Sequence, residues 1–287
     1  MINKIEKYNN KSKIFFVISN YNTDPEKFLE YCKDYHIYDQ SDDLKIKSNL
    51  NSKYSKITFV ENSGHSITNY FRYFIENYTN LPDCIALLKA NMIGRHISEE
   101  CFDHVINNQF YTALYSDRNW VDRPGIAYQL HDGAFLEINN NWYAGSKSYK
   151  YFRTYNQLLS FIFVNPIIPN WLLFSPGACY IVTREQILNY PKEFYENLKY
   201  IVSYQFFPAE AYHIERMLGV IFNGYYKLQP YMLNRADFEI EMKKIEAFQM
   251  RSCAEKYSIF VLWRRLKASL KYKYNLFLYK LILKNNN

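Results

Sequence analysis

The chain opens with short apolar runs that alternate with amphipathic stretches. KIFFVISNYN (residues 13–22) is an apolar run closed by a polar turn, the pattern of a buried strand. PEKFLEYCKDY (25–35) then spaces its apolar residues as a helix does, and DQSDDLKIKSNLNSKYS (39–55) is polar enough for a surface connection. KITFVENSGHS (56–66) predicts a second strand running into a small polar turn. TNYFRYFIENY (68–78) places Tyr70, Phe71, Phe74, Ile75 and Tyr78 at helical spacing, and Cys84 to Leu88 form a third apolar run. Three strand–helix alternations in succession predict an α/β domain with a parallel sheet.

Residues 110–152 are loop-rich, with strand-like pieces at YTALYS (111–116) and AFLEI (134–138). Thr154 to Thr183 then carry no charge. Within that stretch LLSFIFVNPIIPNWLLF (158–174) is interrupted by two prolines and two asparagines, which fits a buried segment with kinked loops better than a spanning helix. ACYIV (178–182) reads as a short strand, and Thr183 as the cap of a helix with Glu185 and Gln186 in its first turn. FPAEAYHIERMLGVIF (207–222) makes a helix whose buried stripe is Ala211, Ile214, Leu218 and Ile221 or Phe222. The expected division is a body over residues 1–250 and a tail over 251–287.

Charge sharpens that division. The formal net charge is +7, yet residues 256–287 carry eight basic side chains and no acid, so the body stands near −1. A near-neutral body without a recognised nucleic-acid module argues against a nucleic-acid partner. In the tail, Ile259, Leu262, Trp263, Leu266 and Leu270 share one helical face, with Arg264, Arg265, Lys267 and Lys271 roughly opposite. That layout suits a helix lying on an anionic membrane through residues 256–284, and packing on the body or self-association is the alternative. Five scattered cysteines without a CxxC, and no apolar leader before the first strand, point to reduced thiols in the cytoplasm.

Candidate chemistry falls at five places. Asn62 and Gly64 sit in a strand-to-helix turn, VENSGHS, where backbone amides could meet a phosphate, although an ordinary turn reads the same way. Beyond the third strand, Lys89, Asn91, Arg95 and His96 could neutralise a diphosphate or point to solvent from a loop. The late helix offers Glu215, Glu210 and His213 as candidate catalytic groups. Asp117 and Asp122 in YSDRNWVDRP, and Ser175 and Gly177 in SPGACYIVTRE, are candidates for a sugar or acceptor pocket.

SPGACYIVTRE and PAEAYHIER resemble two blocks of the GT-A glycosyltransferase superfamily. The order ENSGHSITNYFRYFIENYTNLPDCIALLKANMIGRH is similar to a poorly characterised family of fungi and of bacterial capsule and O-antigen loci. The likeness covers roughly residues 13–225 and implies a Rossmann-like, mostly parallel sheet flanked by helices, followed here by the basic amphipathic tail helix. It further implies transfer of a sugar from a nucleotide-sugar donor, a UDP-sugar by preference, to a glycan or polyprenyl-linked acceptor at the inner face of the cytoplasmic membrane. Capsule, O-antigen or lipooligosaccharide would be the product. A sugar-phosphate transferase and a non-catalytic scaffold of polysaccharide assembly are the alternatives. One departure matters: the chain contains no Asp-x-Asp, the element with which such enzymes hold Mn²⁺ or Mg²⁺. No divalent cofactor is therefore expected, although the sequence leaves both ions open, and the cationic cluster after the third strand is expected to take the metal's place.

Overall fold

The computed structural model describes residues 14–32, 34–114, 125–130 and 135–256, with isolated helical positions between 263 and 277. Asp117 and Asp122 lie outside the described residues. Two compact units are formed, residues 1–238 and 239–287.

The first unit is built on a six-stranded sheet in the order β3-β2-β1-β4-β9-β5. Its strands are β1 (Phe15–Asn20), β2 (Tyr35–Asp39), β3 (Ile57–Phe59), β4 (Cys84–Lys89), β5 (Thr112–Ala113) and β9 (Tyr180–Thr183). β3, β2, β1 and β4 pair in parallel, whereas β9 runs antiparallel to β4 and to β5. The sheet is thus mixed rather than uniformly parallel. A turn at residues 175–179 brings the chain back at the C-terminal edge of β4, so β9 can only run the other way.

β1 and β4 are aliphatic and aromatic almost throughout because both faces are covered. On one face Phe16, Ile18, Ala86 and Leu88 meet Phe28, Leu50 and Phe102. Phe28 belongs to α1 (Glu26–Leu29), Leu50 to α2 (Leu44–Lys53) and Phe102 to α4 (Glu99–Val105). α3 (His65–Glu76) packs on β1 and on α7 (Lys192–Val202), where Phe71 and Phe74 meet the ring of Tyr195.

A smaller antiparallel sheet holds β6 (Ala127–Gln129), β7 (Phe135–Ile138) and β8 (Trp171–Phe174). The charge-free stretch folds as α5 (Tyr155–Ile162), a loop containing Pro166 and Pro169, and then β8. Thr154 and Gln157 form a capping box at the start of α5, and Thr183 with Gln186 forms another at α6 (Arg184–Leu188). α8 (Ala209–Phe222) buries Ala211, Ile214, Leu218 and Ile221, the stripe its spacing predicts, and packs against β8.

Two elements differ from the sequence reading. The helix expected over residues 25–35 is one turn long, because the chain straightens at Tyr35 into β2. Cys32 pins that crossover by donating its thiol to the Ile14 carbonyl at 2.9 Å. The polar stretch after β2 contains α2, started by Asp43, whose carboxylate accepts from the amides of Lys45 and Ile46.

In the second unit, the described positions Trp263, Leu266, Leu270, Tyr274 and Phe277 are helical and 59–65% exposed, as a single row at three- and four-residue spacing. Lys267 lies over the Trp263 ring and Lys273 is exposed. Among the described residues no helix is long and apolar enough to cross a membrane. Ile259, Leu262, Arg264, Arg265 and Lys271 lie outside the described residues.

Candidate active site at the sheet switch point

Strand order reverses between β1 and β4: β2 and β3 lie to one side of β1 and β4 lies to the other. Their neighbouring C-terminal ends therefore splay apart and leave a crevice. A cavity of about 800 Å³ opens there, within the range of small-molecule sites. Ser19 and Asn20 from β1, and Lys89, Ala90 and Asn91 from the end of β4, line its floor.

The floor on the β1–β2 side is locked by polar contacts. Asn20 donates to Asp39 Oδ1 at 2.7 Å, Ser41 donates to the same oxygen, and Asn69 donates to Ser19 Oγ at 2.8 Å. Such a network holds the backbone edges in place.

Beyond β4 the chain winds tightly around one carbonyl. The amides of Arg95, His96 and Ile97 all donate to the Met92 oxygen, and Gly94 takes the left-handed conformation that closes the turn. Met92 and Ile97 are buried anchors, which leaves Arg95 exposed at the rim and His96 facing inward. Ser98 caps α4. Lys89 Nζ meets His65 Nε2 at 3.2 Å. His65 is left-handed (φ 57°), as is Ala178 (φ 61°); side chains seldom tolerate this backbone, and both residues line the cavity. Four nitrogen-bearing side chains thus converge at the end of β4.

Burial lowers the Lys89 ammonium's pKa, with Glu215 working against the shift. Burial, then the charges of Lys89 and Arg95, hold His65 well below the usual histidine range and His96 near about 4. Both imidazoles are accordingly neutral at physiological pH.

α8 supplies the far wall. Glu215 Oε1 accepts the Gly177 amide at 2.6 Å, and Oε2 accepts from Arg216 Nη1 at 3.1 Å. Its carboxyl pKa is nevertheless raised by burial, against the opposing pull of Arg216 and Lys89. Gly177 is left-handed (φ 84°), and a Cβ there would sit 3.3 Å from both Lys89 Cδ and His96 Cδ2. Arg216 is clamped by Glu137 of β7 through Nε–Oε1 and Nη2–Oε2 contacts, both residues being buried. The Phe174 ring lies 4.4 Å from the guanidinium. Trp142, Tyr143, Tyr212, Phe207, Phe206 and Tyr21 form an aromatic rim, linked ring to ring at 3.9–6.2 Å.

The structure brings together Lys89, Asn91, Arg95, His96, Gly177 and Glu215 from the sequence-derived set. The others lie elsewhere. Glu210 does not line the cavity: its Oε1 accepts from the amides of Lys150, Tyr151 and Phe152, and Oε2 from the Tyr204 hydroxyl, so it anchors a loop. His213 is 1% exposed on the buried side of α8, and Ser175 donates to the Leu114 carbonyl inside the core. Asn62 and Gly64 also stand away from the cavity. The amides of Gly64 and His65 are already given to the carbonyls of Gln205 and Phe206, so this helix start is not a free phosphate cradle. His65, Glu137, Tyr143, Lys147, Tyr212 and Arg216 join the site without having been singled out. His65 and Arg216 stood beside flagged residues, whereas nothing local marked Glu137 or Lys147.

The neutral histidines make the fold acid-sensitive. His213, like His96, is driven by burial to about 4 from an ordinary 6.5. Depressed pKa values mean that the unfolded chain binds these protons first, so stability is complete above about pH 6.5 and is lost as pH falls toward 4. Each histidine should cost roughly 2 kcal/mol at about pH 5. Urea unfolding at about pH 7.5 and pH 5 checks this, and a midpoint that does not fall in acid would contradict it.

These features define an α/β protein with a small-molecule pocket at the switch point of its sheet. The chain belongs to the DUF3431 family, described as a protein of unknown function, whose match spans residues 17–236. No curated protein and no solved structure matches it.

Proposed function

We propose that the chain is a GT-A-type glycosyltransferase that moves a sugar from a nucleotide-sugar, a UDP-sugar by preference, to a lipid-linked surface glycan. The observation that carries this reading is the charge of the switch-point cavity. Four cationic and two acidic side chains line it, and one of those acids, Glu137, is consumed by Arg216. The remaining cations, Lys89 and Arg95 at the end of β4 and Lys147 on another wall, outnumber Glu215. In this reading Lys89 and Arg95 sit where a leaving diphosphate would lie, and a nucleotide-sugar brings about two negative charges to match those two.

A divalent metal does not fit these residues. Mn²⁺ and Mg²⁺ take oxygen ligands, carboxylates foremost, but the end of β4 presents Lys89, Arg95 and two histidines. Among the described residues no group of three His, Cys, Asp or Glu side chains could hold a metal ion. In the proposed reaction the side chains at the end of β4 carry the charge of the leaving group. The bond between the anomeric carbon and the diphosphate breaks, and the electron pair leaves with the phosphate oxygen, stabilised by Lys89 and Arg95. The acceptor hydroxyl oxygen bonds the anomeric carbon, and in the inverting form of the reaction Glu215 takes its proton. The raised pKa of Glu215 strengthens it as that base.

The test is a thermal-shift panel of UDP-, GDP- and CMP-sugars with and without Mn²⁺, followed by product analysis. Stabilisation by a nucleotide-sugar and release of nucleoside diphosphate in excess EDTA are expected. Release of nucleoside monophosphate would indicate sugar-phosphate transfer, and no response to any nucleotide would leave the scaffold reading. Activity abolished by EDTA and restored by Mn²⁺ would refute the metal-free chemistry.

The exposed apolar row of the second unit supports a peripheral position at the inner face of the cytoplasmic membrane. Deleting residues 256–287 should move the protein from the membrane to the soluble fraction of a lysate. An unchanged distribution would count against the anchor.

A further inference from the structure

One charged group in the cavity has no part in the donor chemistry. Lys147 follows the short 3₁₀ turn Ala144–Ser146, on the wall formed by the small sheet and α8 rather than at the end of β4. Its ammonium lies 5.7 Å from the Tyr143 ring centroid and 5.5 Å from that of Tyr212. Two ring faces hold a cation by electrostatic attraction without neutralising it. The two carboxylates of the cavity cannot neutralise it either: Glu137 is clamped on Arg216, and Glu215 is shared between Gly177 and Arg216. An ammonium held among aromatic rings, in the cavity that also holds Glu215, is arranged to read an anionic substituent on a sugar whose apolar face rests on Trp142, Tyr143 or Tyr212.

We propose that the Lys147–Tyr143–Tyr212 wall is an acceptor subsite selective for a sugar bearing an anionic group, a uronate carboxylate or a phosphate monoester. The proposal rests on the glycosyl-transfer reading and supplies the acceptor class which that reading leaves open. The acceptor hydroxyl would then face Glu215, while the donor diphosphate occupies the Lys89 and Arg95 end.

Saturation-transfer NMR and titration on the full chain, with and without UDP, test the proposal. The probes are p-nitrophenyl β-glucuronide, p-nitrophenyl β-glucoside and glucose 6-phosphate. The glucuronide, the glucose phosphate or both should bind at least about five-fold more tightly than the glucoside, as one unneutralised cation predicts. Which of the two does so identifies the carboxylate or the phosphate as the group read. Lys147→Met should abolish that preference and leave UDP affinity unchanged, and Lys147→Arg should keep it. Equal binding of charged and neutral probes, a preference that survives Lys147→Met, or no sugar binding at all would overturn the subsite. Loss of UDP binding by the unaltered protein bears on the donor reading alone, because the sugar arms are measured without UDP as well.

Discussion

Lys89→Ala should lower turnover by about two to three orders of magnitude, the usual loss when one preorganised charge is removed from a developing anion. Lys89 is the cation closest to the sheet edge, fixed by β4 and held against His65, so no neighbouring side chain can take its place. UDP affinity should fall as well, but less than turnover, because charge on the leaving group grows as the bond breaks. Lys89→Arg should not restore turnover: the position holds a lysine against His65, and a planar guanidinium on a longer stem places its charge elsewhere. Steady-state kinetics with thermal unfolding as a folding control decide the matter. Turnover within about threefold of the unaltered protein would remove Lys89 from the mechanism.

The largest stability effect is expected at Glu137. Glu137→Ala leaves the Arg216 guanidinium buried without its bidentate partner, at a cost of about 3–5 kcal/mol. Because the Phe174 ring and the Tyr212 carbonyl hold the guanidinium where it is, it cannot swing out to water. In a domain of this size the unfolding midpoint should drop by roughly 10 °C. Replacing both partners with apolar residues, Glu137→Leu with Arg216→Met, should restore much of that loss, since the desolvation cost disappears with the charges. Calorimetry on the single and double variants checks both statements. A single variant as stable as the parent would show that the pair contributes little.

Much of the fold was legible because its signals are local. The apolar runs that became β1 and β4, the capping Thr183, and the buried stripe of α8 depend on neighbours within a few residues. β2 was hidden because Tyr35–Asp39 mixes polar and apolar residues, and its pairing with β1 is a long-range property. The same division runs through the site. Lys89 and Arg95 could be found where an apolar strand breaks into cations. Glu210 and Glu215 look alike on paper, and only the fold turns one toward three backbone amides and the other toward the cavity. Glu137 gave no sign, since its role depends on an arginine 79 positions away. The turn at Gly64 invited a phosphate on paper, and the Gln205 and Phe206 carbonyls that occupy the amides of Gly64 and His65 are still more distant in sequence.

The reversed direction of β9 has a consequence for how such a protein can diversify. Because β9 pairs with β4 in antiparallel, with Leu87 opposite Tyr180, the ends of the excursion over residues 90–179 adjoin, and β5 lies within it as a further strand of the same sheet. That excursion contributes Arg95, Glu137, Tyr143, Lys147 and Gly177 to the cavity, while the β1–β2 floor belongs to the chain before it. On the proposed reading, exchange of this stretch would alter the Lys147 wall and the Arg95 end of the diphosphate site together, while leaving Ser19, Asn20 and Lys89 in place.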